Sequence, residues 1–242
     1  MSINTENVSY ATFLSLDAGN STGSGFMLNH NNKEYVVTAK HVLFDDEDNI
    51  RCASILITSQ NHLGEIEDAR TIVIDDIEKI KIIKSNDLDI IAIELDDEEN
   101  FRIEQEGKNI ISIVENDLDK LENIKIANNI LLVGFPTSLI IEKVKFFDIN
   151  RPLLRKGIIA GINIKDNIFV IDCPVYYGNS GGPVIEYKDN GEMKLIGIVS
   201  KYIPFVTEWR NNRESAFSRQ EFSNSGYAVC IPIYEILNLL NE

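Results

Sequence analysis

The chain has 242 residues, 44% of them hydrophobic and 25% charged, which excludes disordered, collagen-like and low-complexity classes. Its 23 Lys and Arg against 38 Asp and Glu leave a formal charge of −15, so the surface repels phosphate backbones and anionic lipid, and no nucleic-acid or membrane partner is expected. Three cysteines (Cys52, Cys173 and Cys230), odd in number and at no metal-ligand spacing, argue against a disulfide framework or a zinc site and fit a reducing compartment.

The pattern along the chain is one of strands and turns. Residues 8–16 read as a strand, 17–24 as a turn built on Gly19, Asn20 and Gly23, 25–28 as a strand, 30–33 as a turn and 34–38 as a third strand. Further β-branched runs fall at 53–58, 70–74, 80–83 and 90–95, and in the second half at 130–135, 143–147, 157–164, 168–171, 183–186, 195–200 and 227–231. Short strands at this spacing predict an all-β sandwich or barrel fold. Residues 115–129 are polar, helical or irregular, and form the expected connection between two β halves. The polar stretch 207–225 reads as a loop between two strands, longer than ordinary hairpin connections. One convincing helix closes the chain: Pro232 suits a first turn, and Ile233, Ile236, Leu237 and Leu240 fall on one face. The acidic runs 45–48 and 96–99 read as solvated loops or as a rim that repels acidic substrates.

The sharpest chemical signal is Tyr177-Gly178-Asn179-Ser180-Gly181-Gly182-Pro183. Small residues flanking a serine let the backbone turn tightly and leave the hydroxyl exposed, and the N–H groups of Gly178 and Ser180 can aim at one oxygen as an oxyanion hole. The alternative is a Gly-rich hairpin turn with an incidental serine. A serine hydroxyl needs a base to attack at neutral pH. Of three histidines, His30 and His62 read as exposed turn residues, whereas His41 ends the apolar strand Tyr35–Val42 and is the only base candidate on a rigid element. The imidazole needs an acceptor to fix its tautomer. Asp89 opens the apolar strand Ile90–Ile93, where a carboxylate requires a partner, and is favoured over its more solvated competitor Asp87.

Taken together, these blocks resemble the trypsin-like serine proteases of the chymotrypsin fold, in particular the protease domain of bacterial HtrA-type enzymes. The order His41, Asp89, Ser180 is that of the family, for which the chymotrypsin triad is the standard template. Gly23–Phe26 with Val37–Val42 resembles its first hairpin and histidine block, and Asp89–Ile93 its aspartate block. Val133–Pro136 and Lys156–Ile159 resemble strands of the second barrel. Asp172–Val184 resembles the nucleophile block, Leu195–Ser200 the strand lining the cleft, and Gly226–Pro232 the closing strand. The resemblance implies two six-stranded antiparallel barrels with a C-terminal helix. Residues 1–120 would carry His41 and Asp89, residues 121–242 would carry Ser180, and together they would form one peptidase domain acting on protein or peptide substrates without cofactor or metal.

The departures also carry expectations. Asn179 stands where the secreted trypsins have the Asp that pairs with a freshly cut N-terminus, so activation by clipping is not expected. No PDZ module of the kind HtrA-type enzymes carry is expected. It has no basic leader and no apolar run of roughly 18–20 residues, so a cytoplasmic bacterial enzyme is expected. Restraint would then come from a regulatory protein partner, loop ordering or narrow specificity. The resemblance places Pro174, Val175, Ser200, Lys201 and Tyr202 at the substrate pocket. Pro174 replaces the floor carboxylate of Arg/Lys-cleaving relatives, which implies an uncharged P1 residue, and Tyr202 either narrows the pocket mouth or points outward. The competing class is a catalytically silent scaffold on the same fold.

Overall fold

The computed structural model describes residues 13–19, 21–59, 70–95, 98–105, 112–137, 152–210 and 218–241. The strand expected at 143–147 and His62 lie outside them.

Nine strands of the first half form one sheet among the described residues: β1 (Phe13–Asp17), β2 (Thr22–His30), β3 (Lys33–Thr38), β4 (Ile55–Ser59), β5 (Arg70–Ile74), β6 (Ile82–Lys84), β7 (Ile91–Glu94), β8 (Arg102–Gln105) and β9 (Ile113–Val114). Their order is β6-β7-β3-β2-β1-β4-β5-β8, with β9 paired in parallel to β2. A single helical turn, α1 (Lys40–Leu43), follows β3. Alternate residues of β1 and β2 face the core, Leu14 and Leu16, then Phe26 and Leu28, all fully buried, while the consecutive Val36 and Val37 show that β3 is covered on both faces.

Six strands of the second half close a barrel: β10 (Asn129–Gly134), β11 (Leu153–Asn163), β12 (Ile168–Asp172), β13 (Pro183–Tyr187), β14 (Met193–Arg210) and β15 (Ser218–Pro232). The barrel order is β10-β11-β12-β15-β14-β13, and every pairing is antiparallel. Two short 3-10 turns, Glu115–Asp117 and Leu121–Asn123, connect the halves. The chain's closing helix, α2 (Tyr234–Leu240), buries Ile236 and Leu237. The all-β reading with a terminal helix is borne out.

Two expectations are corrected. The described residues of the stretch 207–225, namely 207–210 and 218–225, are strand rather than loop. β14 and β15 run on as a two-stranded ribbon, Thr207 facing Glu221, Glu208 facing Gln220 and Trp209 facing Arg219. Phe205, Val206, Trp209 and Phe222 lie exposed among polar residues here, so the ribbon meets water on both faces. His30 is not an exposed turn residue but is buried at the end of β2. Its ring bonds Glu115 at 2.5 Å through Nδ1 and Asn241 at 3.1 Å through Nε2, which satisfies both nitrogens inside the protein.

Candidate active site

The chain leaves β3 through an extended Ala39 and enters α1, which places His41 in the first helical turn rather than at a strand end. Backbone N–H groups in a first turn have no acceptor within their own helix. Asp89 supplies one: its Oδ1 accepts the His41 N–H at 2.9 Å while its Oδ2 accepts from the ring Nδ1 at 2.8 Å. A turn ahead of β7 positions the carboxylate, with the Ser85 hydroxyl accepting the N–H groups of Asp87 and Leu88. Ser200 of β14 donates to the same Oδ2 at 2.6 Å. Burial pushes the Asp89 carboxyl up, but the hydrogen bond and charge of the His41 ring, the Ser200 hydroxyl and the His41 N–H together outweigh it and hold the group below the ordinary carboxylate value. On the other side of the ring, His41 Nε2 lies 2.8 Å from Ser180 Oγ.

Ser180 sits in a turn tied to both halves. The Gly181 N–H bonds the Val199 carbonyl at 2.8 Å and the Val199 N–H bonds the Gly182 carbonyl at 2.9 Å, which anchors the turn to β14. The Ser180 carbonyl accepts the Ser24 N–H at 2.7 Å, which anchors it to β2. Gly181 has φ +79°, and a Cβ there would lie 2.2 Å from the Ser24 carbonyl and from Thr38 Oγ1. No side chain fits this crossing of the two halves.

Gly178 is equally constrained, with φ +90° and a would-be Cβ 2.3 Å from the Phe135 carbonyl. The preceding peptide is oriented from outside: the Tyr177 carbonyl accepts the Thr137 N–H at 2.8 Å and the Thr137 hydroxyl at 3.2 Å. Since a trans peptide directs its N–H opposite its carbonyl, the Gly178 N–H is turned away from Thr137. No described backbone carbonyl accepts the N–H of Gly178 or of Ser180.

A scan against family models matches residues 23–198 to the trypsin-like peptidase domain. The chain belongs to this family. Among solved structures, this trypsin-like domain is similar to the HtrA-type protease AlgW with tripeptide, at 17% identity and TM-score 0.54, covering 96% of this chain and 60% of that one. It is also similar to a Glu endopeptidase in complex with MPD, at 11% identity and TM-score 0.60, covering 100% of this chain and 94% of that one. A third likeness is to the M. tuberculosis H37Rv protein Rv3671c as an inactive-form mutant, at 12% identity and TM-score 0.50, covering 98% of this chain and 89% of that one. At these identities the likenesses show the chymotrypsin-like fold. The chain spans 60% of the length of the AlgW chain. No curated protein matches it.

Around the trypsin-like centre, the residues expected at the pocket occupy two facing segments. Pro174 is exposed and Val175 buried on the segment before Gly178. Ser200 is buried, Lys201 exposed and Tyr202 half-buried on β14. The Tyr177 and Tyr202 rings meet edge to face, centroids 6.3 Å apart at 80°. A hydrogen bond with the Tyr177 side chain raises the Tyr202 phenol above its ordinary value. On the far side of His41 lies a cavity of about 510 Å³, lined by Phe44, Asp45, Asp46, Asp87, Leu88 and Lys201 among others. Asp45 and Asp46 thus reach the cleft, mixed there with Lys40, Arg51 and Lys201 rather than forming an acidic rim.

Sequence reasoning missed the role of Ser24, which it read as a turn residue. Its buried hydroxyl donates to the Gly178 carbonyl at 2.6 Å and accepts the Phe135 N–H at 2.9 Å, joining three segments. The small residues on either side of Ser24 were the available signal, since a Cβ at Gly25 would lie 2.5 Å from the Val37 carbonyl. Thr137 carried no signal at all. Asn179 is buried, and its Oδ1 has no hydrogen-bond partner among the described residues.

Proposed function

We propose that this domain is a serine endopeptidase in which Ser180 is the nucleophile, His41 the general base and acid, and Asp89 the orienting carboxylate. The observation that carries the reading is the unbroken relay from Asp89 Oδ2 through His41 to Ser180 Oγ, 2.8 Å at each step. Ser180 Oγ attacks the scissile carbonyl as its proton passes to His41 Nε2, and Asp89 stabilises the resulting imidazolium. The carbonyl oxygen becomes an oxyanion that the N–H groups of Gly178 and Ser180 receive. Collapse of this intermediate breaks the C–N bond, and the His41 proton leaves with the amine. Water then repeats the sequence on the acyl-enzyme, with His41 taking its proton, and releases the acid and free Ser180. No cofactor or metal enters these steps.

In this reading residues 1–120 and 121–242 are two halves of one peptidase domain, the first contributing His41 and Asp89 and the second Ser180. Substrates are proteins or peptides, bound as an extended strand beside Ser200, Lys201 and Tyr202. An uncharged P1 residue is favoured because Pro174, which the resemblance aligns with the floor carboxylate of Arg/Lys-cleaving relatives, offers no charge to pair a buried P1 cation. Activity is regulated, by a protein partner or by rearrangement. Asn179 supports this, since a buried acceptor left unpaired under the nucleophile turn is one that a rearrangement could satisfy. No helix among the described residues is long and apolar enough to cross a membrane. The free cysteines Cys52, Cys173 and Cys230 fit a reducing compartment, and in this reading the setting is a bacterial cytoplasm.

The test is labelling with a fluorophosphonate probe. Wild type is expected to label on one serine, Ser180→Ala not at all, and His41→Ala only at a strongly reduced rate. Absence of labelling in well-folded wild type would favour a silent scaffold instead.

A further inference from the structure

We infer that the outer half of β14 is a second stretch of substrate edge, on which a long unfolded polypeptide adds a third strand to the ribbon and lays apolar side chains against Phe205, Val206 and Trp209. The inference rests on the endopeptidase reading above and extends it to the part of the substrate far upstream of the cut.

β14 has two edges. One pairs β15 as far as Arg210. The other pairs β13 only from Met193 to Ile198, and Val199 then exchanges bonds with Gly181 and Gly182 of the nucleophile turn. From Ser200 to Arg210 that edge has no strand partner among the described residues. An open edge accepts an extended chain through its backbone N–H and C=O groups. Its inner end, Ser200 to Tyr202, is where the proposed reading already seats the substrate. β14 leaves the nucleophile turn at Val199 and runs outward, so in an antiparallel pair the residues N-terminal to the cut lie along its outer half. With P1 beside Ser200, the pairing puts roughly P6 beside Phe205 and roughly P10 beside Trp209. Pro204 has no N–H, and strands carry proline where that bond would face outward, so the ladder has one gap there and resumes beyond it.

The chemistry of the edge says what it takes. Opposed residues share a face, so Val206 and Phe222 lie on one side of the ribbon and Phe205 and Trp209 on the other. Phe205 is 62% exposed and Trp209 60%, so large apolar surface faces water on a ribbon of two strands, which is marginal until a third covers it. A third strand points alternate side chains to both faces and reaches both apolar sets at once. Charge on the ribbon is balanced, Glu208 and Glu221 against Arg210 and Arg219, although the whole chain carries −15. The edge therefore selects apolar segments without regard to the sign of their charge. The same net charge sets a second copy of this chain against the first. A substrate held at Ser200 to Tyr202 instead reaches the outer edge by continuation of its own backbone, as an intramolecular step.

The experiment compares a short peptide that begins at P4 with a long one that begins at P12 and carries Leu at P6, P7 and P10. The quantity read is the long-to-short ratio of kcat/KM, which cancels any change in Ser180 reactivity. Wild type is expected to favour the long peptide at least about ten-fold, within what two aromatic contacts supply. In Phe205→Ser/Trp209→Ser the ratio is expected to fall toward one. A ratio near one in wild type, or an unchanged ratio in the variant, would overturn the proposal. Methylating the peptide amides from P6 to P10 removes backbone donors and keeps the side chains. On wild type this must also bring the ratio down, and an unchanged ratio would show contact without a third strand and overturn it. Light scattering supplies the remaining arm: a dimer of wild type that Phe205→Ser/Trp209→Ser dissolves would assign the ribbon to a second copy instead. The same peptides titrated onto Ser180→Ala read binding alone. Failure of wild type to label with fluorophosphonate would strike the endopeptidase reading, while these affinity ratios would still decide the edge.

Discussion

The Asp89 carboxylate accepts three hydrogen bonds from two separate elements, two from His41 and one from Ser200. Removing any member of this relay should be costly. Ser180→Ala, His41→Ala and Asp89→Asn are each expected to lower kcat by on the order of 10⁴–10⁶ with the fold intact, measured on a peptide ester and by circular dichroism. Asp87→Asn should cost far less, because the relay does not include that side chain. A carboxyl held below its unfolded value of 3.8 stabilises the fold above that pH, and the contribution is lost as pH falls through the lower folded value. Ser200→Ala removes one of the bonds that lower it. The folded value then moves up toward 3.8 and the stabilisation shrinks, so acid unfolding should set in at a higher pH than in wild type. An unchanged acid midpoint would mean that Ser200 contributes nothing to the state of Asp89. At this scale the sequence was informative where chemistry and pattern coincide. Ser180 stands among glycines, and Asp89 stands at the mouth of an apolar strand. It was silent on Thr137, whose contribution is largely its backbone N–H, and misleading on His30, whose partners Glu115 and Asn241 are distant in the chain.

Between elements, the site depends on backbone crossings that tolerate no side chain. Gly178→Ala would place a Cβ 2.3 Å from the Phe135 carbonyl at φ +90°, so it is expected to abolish labelling even where the barrel still folds. Ser24→Ala leaves both the Gly178 carbonyl and the Phe135 N–H without their partner in a buried place. It should cost about 1–3 kcal/mol in chemical denaturation, with a matching loss of labelling rate. A variant as stable as wild type would show that water replaces the hydroxyl. Most strands were legible from β-branched runs, but β8 and β9 were not, and the connection at 115–129 was legible only as polar and helical or irregular. The lengths of β14 and β15 were not legible either. Their outer halves are polar, and it is pairing across the ribbon that makes them strands, a long-range property that local composition does not encode.

In the whole molecule, the outer ribbon stands apart from both cores. Phe205, Trp209 and Phe222 are all more exposed than buried, so the ribbon adds little to global stability. Replacing residues 206–222 with a short turn, keeping Asn224 and its bond to Val175, should leave the thermal midpoint within about 2–4 °C of wild type. A larger drop would show that the ribbon braces the barrel. Trp209 is the chain's one tryptophan and is 60% exposed, so its fluorescence should already be that of a wetted indole and change little on unfolding. The terminal helix α2 is the opposite case. Although it follows the second barrel in the chain, Ile233, Ile236 and Leu237 belong to the same buried cluster as Val36, Val37, Ile91 and Ile93 of the first half. During synthesis the first half therefore emerges with part of its apolar surface uncovered, and it stays uncovered until the chain has grown by more than a hundred residues and α2 has left the ribosome. Completion of the first half's core is thereby deferred until α2 has been made, so the nascent chain up to that point is a natural client for chaperones that shield exposed apolar surface.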